Sequence, residues 1–168
     1  MERIETERLF LRPLAKEDAQ ALYRLTGNIE VARFMRFNTH SCLAQTETMI
    51  EEYLQLSEEG LCYPFSIMEK ASGTLIGFFA SKTAEEIKNE CSWTLFLDQT
   101  VWGKGYATEI TSKMVSVLLY QLGYNKILAY VVENNHASAS VLRKNGFQIE
   151  RTIAFPETSL NIWTISKT

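Results

Sequence analysis

Two glycines separated by one residue, Gly103 and Gly105, stand directly before a stretch whose apolar residues recur at helical spacing. The full run is Leu95-Phe96-Leu97-Asp98-Gln99-Thr100-Val101-Trp102-Gly103-Lys104-Gly105-Tyr106-Ala107-Thr108. It passes from a strand-like segment, through a glycine-rich turn, into a helix. The first amides of a helix have no intrahelical acceptor, and the macrodipole places about half a positive charge at that end. Glycines let the main chain approach an anion without an intervening Cβ, and Lys104 adds a cation at the rim. The predicted chemistry is diphosphate binding. A tight strand-to-helix turn with no ligand would use the same glycines. A P-loop needs a second glycine followed by Lys and then Ser or Thr, which the run lacks; the third glycine of a dinucleotide fingerprint would fall at Thr108. A diphosphate belonging to another kind of cofactor passes both tests.

The elements that must hold this turn are legible on either side of it. Tyr106 opens a helix predicted to run to Gln121, with Ala107, Ile110, Met114, Val117 and Leu118 on its apolar face and Gly123 as the stop. Residues 90–97 before it and 126–132 after it read as strands, and strand–helix–strand in that order requires a parallel, right-handed crossover. Upstream, residues 8–14 alternate apolar and polar and end at Pro13 and Leu14. Residues 16–25 read as a short amphipathic helix and 29–35 as a further helical turn. Ser41 is the expected N-cap of a helix reaching Ser57, with Ile50, Tyr53 and Leu54 inward. Residues 63–69 and 74–82 read as a hairpin around Ala71-Ser72-Gly73, extended by 90–97 into a meander. Downstream, Asn135 caps a helix carrying Ala137, Val141 and Leu142, closed by Asn145-Gly146, and 147–155 and 159–165 are two closing strands. The prediction is a mixed sheet in an α/β or α+β sandwich.

Composition sets the remaining bounds. The chain has 168 residues, 46% apolar and 22% charged, which suits one domain over 1–168 with a buried core. Its net charge is −3 and no basic stripe is present, so no nucleic-acid partner is expected. The charged start Glu2-Arg3-Ile4-Glu5 predicts no secretory leader, and no apolar run reaches the ~18 residues of a membrane span. Cys42, Cys62 and Cys91 are odd in number and widely spaced, without CxxC or a Cys/His cluster, so no metal site is expected. They read as reduced thiols of a cytoplasmic protein.

Four ordered blocks resemble the GNAT superfamily of N-acetyltransferases, and within it the ribosomal-protein N-terminal acetyltransferase (Rim-type) branch. They are Thr6-Glu7-Arg8-Leu9-Phe10-Leu11-Arg12-Pro13-Leu14; Gly73-Thr74-Leu75-Ile76-Gly77-Phe78; Trp102-Gly103-Lys104-Gly105-Tyr106-Ala107-Thr108-Glu109; and Asn135-His136-Ala137-Ser138 with Asn145-Gly146-Phe147. The resemblance covers nearly the whole chain. It implies a mostly antiparallel sheet of about seven strands with about four helices, in which parallel strands four and five splay apart. It further implies that acetyl-CoA is the co-substrate. The main chain of Leu95, Phe96 and Leu97 would pair with its pantetheine arm, the amides from Gly103 to Thr108 would hold its diphosphate, and Asn135 would contact the pantetheine. Trp102 stands where the family usually has Gln or Arg, and Leu142 where much of it has a tyrosine acid; Ser138 is then the proton donor that the branch suggests.

Direct transfer to an amine needs a neutral nucleophile, a donor for the thioester carbonyl, and a proton for the departing sulfur. Main-chain N–H groups near Phe96 suit the carbonyl. Glu90 is the first candidate for a base acting through water, although a strand-end carboxylate also serves simply as a solvated group. Glu109 fits the branch's Thr-Glu pattern and equally the preference for acid in a first helical turn. Ser138 is either donor or ordinary first-turn residue. His136 follows Asn135 but reads mainly as a surface histidine, and His40 as a loop residue. Trp93, Tyr106 and Tyr130 read as core or cleft wall, and Cys91 alternates away from Glu90, which disfavours a thiol-linked route. The expected acceptor is a protein N-terminal α-amine or a small-molecule amine, and the expected state is monomer or homodimer. The substrate loops, around 28–44 and 155–159, carry no readable code. The competing reading is a non-catalytic acyl-CoA-binding module.

Overall fold

Alternation after Arg8 becomes a strand because only one of its faces meets a core. The computed structural model describes residues 2–84 and 89–168. Its strands are β1 (Ile4–Glu5), β2 (Leu9–Pro13), β3 (Cys62–Glu69), β4 (Leu75–Thr83), β5 (Glu90–Leu97), β6 (Lys126–Val132), β7 (Gln148–Ala154) and β8 (Ser159–Ser166). They form one sheet in the order β1-β2-β3-β4-β5-β6-β8-β7. β5 and β6 run parallel, and β1/β2, β2/β3, β6/β8 and β7/β8 are antiparallel. The helices are α1 (Ala19–Thr26), α2 (Ile29–Ala32), α3 (Leu43–Glu58), α4 (Tyr106–Ser116) and α5 (His136–Lys144). This is the mixed, mostly antiparallel sheet that the resemblance implies, with one strand and one helix beyond the expected number. The added strand, β1, is only two residues long, too short to show a period in the sequence.

By internal contacts the chain divides into two compact units: Met1–Ser81 with Thr94–Tyr106, and Lys82–Trp93 with Ala107–Thr168. In the first, Leu9 and Leu11 are fully buried, and β2 pairs with β3 from Leu9↔Glu69 to Pro13↔Phe65. Leu22 and Leu25 of α1, Val31 of α2 and Ile50 of α3 close over Leu75, Phe78, Ala80 and Phe96. A carboxylate is buried in this unit. Asp18, 5% exposed, accepts from Arg12 Nη2 at 2.6 Å and Nη1 at 2.9 Å, from Ser66 Oγ at 2.6 Å and from the Ala15 amide at 3.0 Å. Burial alone would push its carboxyl up; these donors outweigh that and hold it below its usual value.

Several boundaries differ from the sequence reading: α1 begins at Ala19 after a 3-10 turn at Lys16–Asp18, and α2 ends at Ala32 and not at Met35. Helix α3 starts one residue later, with Cys42 as N-cap and no side-chain cap bond. Gln45 Oε1 instead reaches back to accept from the Ser41 amide at 2.6 Å, and this satisfies a donor ahead of the helix. The predicted helix 106–121 is α-helical only to Ser116. Residues Val117–Gln121 widen into a π-turn, closed by the Leu122 amide on the Val117 carbonyl at 2.9 Å.

In the second unit, Ile110, Met114, Val117 and Leu118 are buried together with Ile127, Ala129, Leu142, Phe147, Ile162 and Trp163. The Trp93 and Phe147 rings lie 5.2 Å apart. β6 pairs with β8 along its whole length, whereas its ladder to β5 comprises Glu90↔Lys126, Cys91↔Ile127 and Ser92↔Leu128. β7 is exposed at every residue.

Candidate active site

The glycine-rich turn is built by the end of β5 and held by side chains of its own unit. Main-chain groups of a strand alternate between its two neighbours. The Asp98 amide donates to the Ile76 carbonyl on β4 at 2.8 Å, which puts Phe96 on the β4 side and turns the main chain of Leu95 and Leu97 to the other edge. β4 can lie this close because Gly77 has no side chain. A Cβ there would meet the Phe96 carbonyl oxygen at 2.6 Å and Leu97 Cδ2 at 2.5 Å.

After Leu97 the chain makes a short 3-10 turn, Gln99–Val101. Asp98 Oδ1 caps it, accepting from the Thr100 amide at 2.9 Å and hydroxyl at 2.7 Å. Trp102 is 46% exposed, yet its indole Nε1 donates to the Leu97 carbonyl at 2.9 Å. The Trp102 side chain thus acts as a brace.

Gly103 and Gly105 both have positive φ, +77° and +81°, on either side of Lys104. L-residues rarely adopt that conformation, so both positions call for glycine. Successive left-handed turns of this kind present amides on one side as an anion-binding concavity. No atom lies within 4 Å of where a Cβ on Gly103 would sit, and residues 103–105 are exposed, so a ligand has room to approach. Tyr106 is buried and starts α4 directly after the turn, and the first amides of a helix lack intrahelical acceptors. The residues present therefore fit a diphosphate.

The structure adds an aromatic wall to this unit that the sequence did not disclose. Phe96 stacks on Phe78 at 5.3 Å and takes the edge of Phe37 at 5.6 Å. Phe37 lies 5.2 Å from His40, and Tyr53 lies 4.9 Å from Phe78, with its hydroxyl in reach of Thr94. His40 Nδ1 shares a 2.8 Å hydrogen bond with Thr46 Oγ1, which in turn bonds Thr26 Oγ1 at 2.8 Å. Burial pushes the His40 ring down and the Tyr53 phenol up, so both are neutral at neutral pH. Beside them lies an open hollow of about 280 Å³ lined by Asn38, His40, Gln45 and Thr48. Tyr53 was legible only as an inward helix residue, and the loop holding Phe37 carried no pattern.

The other sequence candidates belong to the second unit. Ala107, Thr108 and Glu109 form the first turn of α4 and are half-buried. Asn135 Oδ1 caps α5 by accepting from the Ser138 amide at 3.2 Å, and Ser138 is half-buried. His136, next to the cap, is exposed. Glu90 opens β5 in register with Lys126, five residues ahead of Leu95, or about 16 Å at the rise of a strand. Cys91 is fully buried, and its thiol is pushed up to about 12, first by burial and then by the Glu90 charge. Among the described residues no group of three His, Cys, Asp or Glu is placed to hold a metal, and no helix is long and apolar enough to cross a membrane.

Known proteins fit this architecture. Residues 8–148 match the family described as acetyltransferase (GNAT) domain. The chain is 31% identical over 150 residues to the uncharacterized N-acetyltransferase p20 of Bacillus licheniformis, covering 89% of this chain and 84% of that protein. Among solved structures it resembles RimL, the ribosomal L7/L12 α-N-protein acetyltransferase, in complex with coenzyme A: TM-score 0.88, 17% identity, 98% of each chain covered. It also resembles the spermidine N-acetyltransferase of Vibrio cholerae in complex with CoA and spermine: TM-score 0.81, 17% identity, 95% of each chain.

Proposed function

The chain belongs to the GNAT family of acetyltransferases and is an N-acetyltransferase, and from that premise we propose that it moves the acetyl group of acetyl-CoA directly to a primary amine. The observation that carries the reading is the pair of left-handed glycines around Lys104 at the head of α4. The amides from Gly103 to Thr108 hold the diphosphate, and the outward edge of Leu95 and Leu97 takes the pantetheine amides as an added strand. Leu97 offers its amide, since its carbonyl already accepts from Trp102. When bound, the cofactor supplies an acetyl group activated as a thioester.

Glu90 is a poor base in this reading. A base must lie within hydrogen-bond reach of the amine or one water away, and Glu90 stands about 16 Å up the strand from Leu95. Glu109, Asn135 and Ser138 keep their proposed roles by resemblance to the family, Ser138 as hydroxyl donor to the sulfur. Cys91 takes no part: a buried thiol with a pKa near 12 holds almost no thiolate at pH 7.

The acceptor is either a protein N-terminal α-amine or a small-molecule amine. The uncharged wall of Phe37, His40, Tyr53 and Phe96 favours an amine with an apolar neighbour over a polycation. We place the enzyme in the cytosol, consistent with three cysteines that form no disulfide. The test is release of free CoA across a panel of peptides, amino acids and polyamines. Thermal protection by acetyl-CoA, with ATP and NAD as controls, tests the cofactor independently. No release with any amine, despite protection, would reduce the protein to an acyl-CoA-binding module.

A further inference from the structure

The orientation of the glycine turn has a determinant far away in sequence. Arg8, the residue before β2, donates from Nη1 to the Lys104 carbonyl at 2.8 Å, across 96 positions. Its guanidinium carbon lies 4.6 Å from the centre of the Tyr106 ring, and its Nη2 lies 3.5 Å from where a Cβ on Gly105 would sit. Tyr106 is fixed in turn, because its hydroxyl donates to Glu69 Oε1 at 2.7 Å and Glu69 ends β3 opposite Leu9. Arg8, Tyr106 and Glu69 thus bracket the turn from the side of β2 and β3.

The consequence follows from peptide geometry. In a trans peptide the carbonyl of one residue and the N–H of the next point in opposite directions, and no described peptide bond is cis. While Arg8 holds the Lys104 carbonyl, the Gly105 N–H must point away from Arg8. Glycine at 105 makes the opposite orientation accessible as well, since it tolerates either sign of φ. A flipped peptide would present a carbonyl oxygen where the diphosphate needs a donor.

We propose that Arg8 is a positioning residue that locks the Lys104–Gly105 peptide with its N–H toward the ligand and so sets the affinity for the diphosphate of acetyl-CoA. It acts through the loop and not as a phosphate ligand. The proposal rests on the cofactor site described above. A planar guanidinium suits the task because it donates to a carbonyl while stacking on a ring, which an ammonium does less well.

The test is the Kd for CoA, measured by titration calorimetry at several salt concentrations for the wild type, Arg8→Met and Arg8→Lys. Arg8→Met is expected to weaken CoA about tenfold, the loss of one good hydrogen bond to a charged group. Its salt dependence should stay parallel to that of the wild type, since no cation leaves the phosphate. Arg8→Lys, which keeps the charge and loses the stacked fork, should weaken CoA at least about threefold. It decides alone if Arg8→Met does not fold. Wild-type affinity in either variant overturns the proposal. A flattened salt dependence in Arg8→Met also overturns it, by making Arg8 a direct phosphate contact. If the wild type itself fails to bind CoA, the cofactor site is refuted, a result distinct from either.

Discussion

The indole N–H of Trp102 is tied to the carbonyl of Leu97 at 2.9 Å, so an aromatic ring that is nearly half exposed pins the end of β5 to the start of the glycine turn. In the proposed complex, pantetheine and diphosphate would therefore meet two surfaces held at a fixed spacing. Trp102→Phe keeps a ring and removes the donor. One such bond contributes about 0.5–1.5 kcal/mol, so the Kd for acetyl-CoA should rise about two- to twelvefold. Titration calorimetry measures it, and an unchanged Kd would show that the brace is irrelevant to binding.

Gly105→Asp attacks the turn itself. A side chain at φ +81° is strained, its Cβ would crowd the Arg8 guanidinium, and a carboxylate would repel the diphosphate. Acetyl-CoA at 100 times its Kd should stabilise the wild type by about 2.7 kcal/mol and this variant by nothing measurable. Thermal denaturation with and without ligand reads the difference. Persistent protection would locate the phosphates elsewhere.

The Asp18 cluster predicts an acid limb in the stability curve. The folded carboxyl titrates below its unfolded value, so its contribution is full above the unfolded pKa of about 3.9 and fades as pH falls through the folded one. Asp18→Asn should flatten that limb. At pH 7 it should cost about 2–3 kcal/mol, less than a fully buried pair because a third of the Arg12 side chain is exposed. Denaturant titrations between pH 3 and 7 test both statements.

Thiol reactivity separates direct transfer from a thiol-linked route. Cys42 is exposed, whereas Cys62 and Cys91 are buried. Under native conditions an alkylating reagent should modify Cys42 alone, as counted by mass spectrometry, and Cys91→Ala should turn over at the wild-type rate. An acetylated Cys91 in the presence of acetyl-CoA would reverse this conclusion.

Local patterns exposed most of the scaffold. Helix α4 announced itself through Ile110 and Met114, and the parallel β5–β6 pair followed from strand–helix–strand order. The π-turn after Ser116 did not, because Val117, Leu118 and Leu119 satisfy α- and π-spacing equally well in a sequence. The turn at Gly103–Gly105 was legible since its chemistry is local. Arg8 and Phe37 were not, for the opposite reason: Arg8 acquires its role only when β2 brings it to Lys104, and Phe37 when its loop folds onto Phe96. Glu90, a candidate by residue type, opens β5 at the end away from Leu97.

The hydroxyl chain from Thr26 through Thr46 to His40 separates two demands that usually compete on one surface. The anchor sits inside, between helices α1 and α3, while Asn38, Gln45 and Thr48 remain at the rim of the hollow. Rim residues can thus be exchanged without loosening the segment that presents them, whereas a change at Thr46 would break the chain that anchors it.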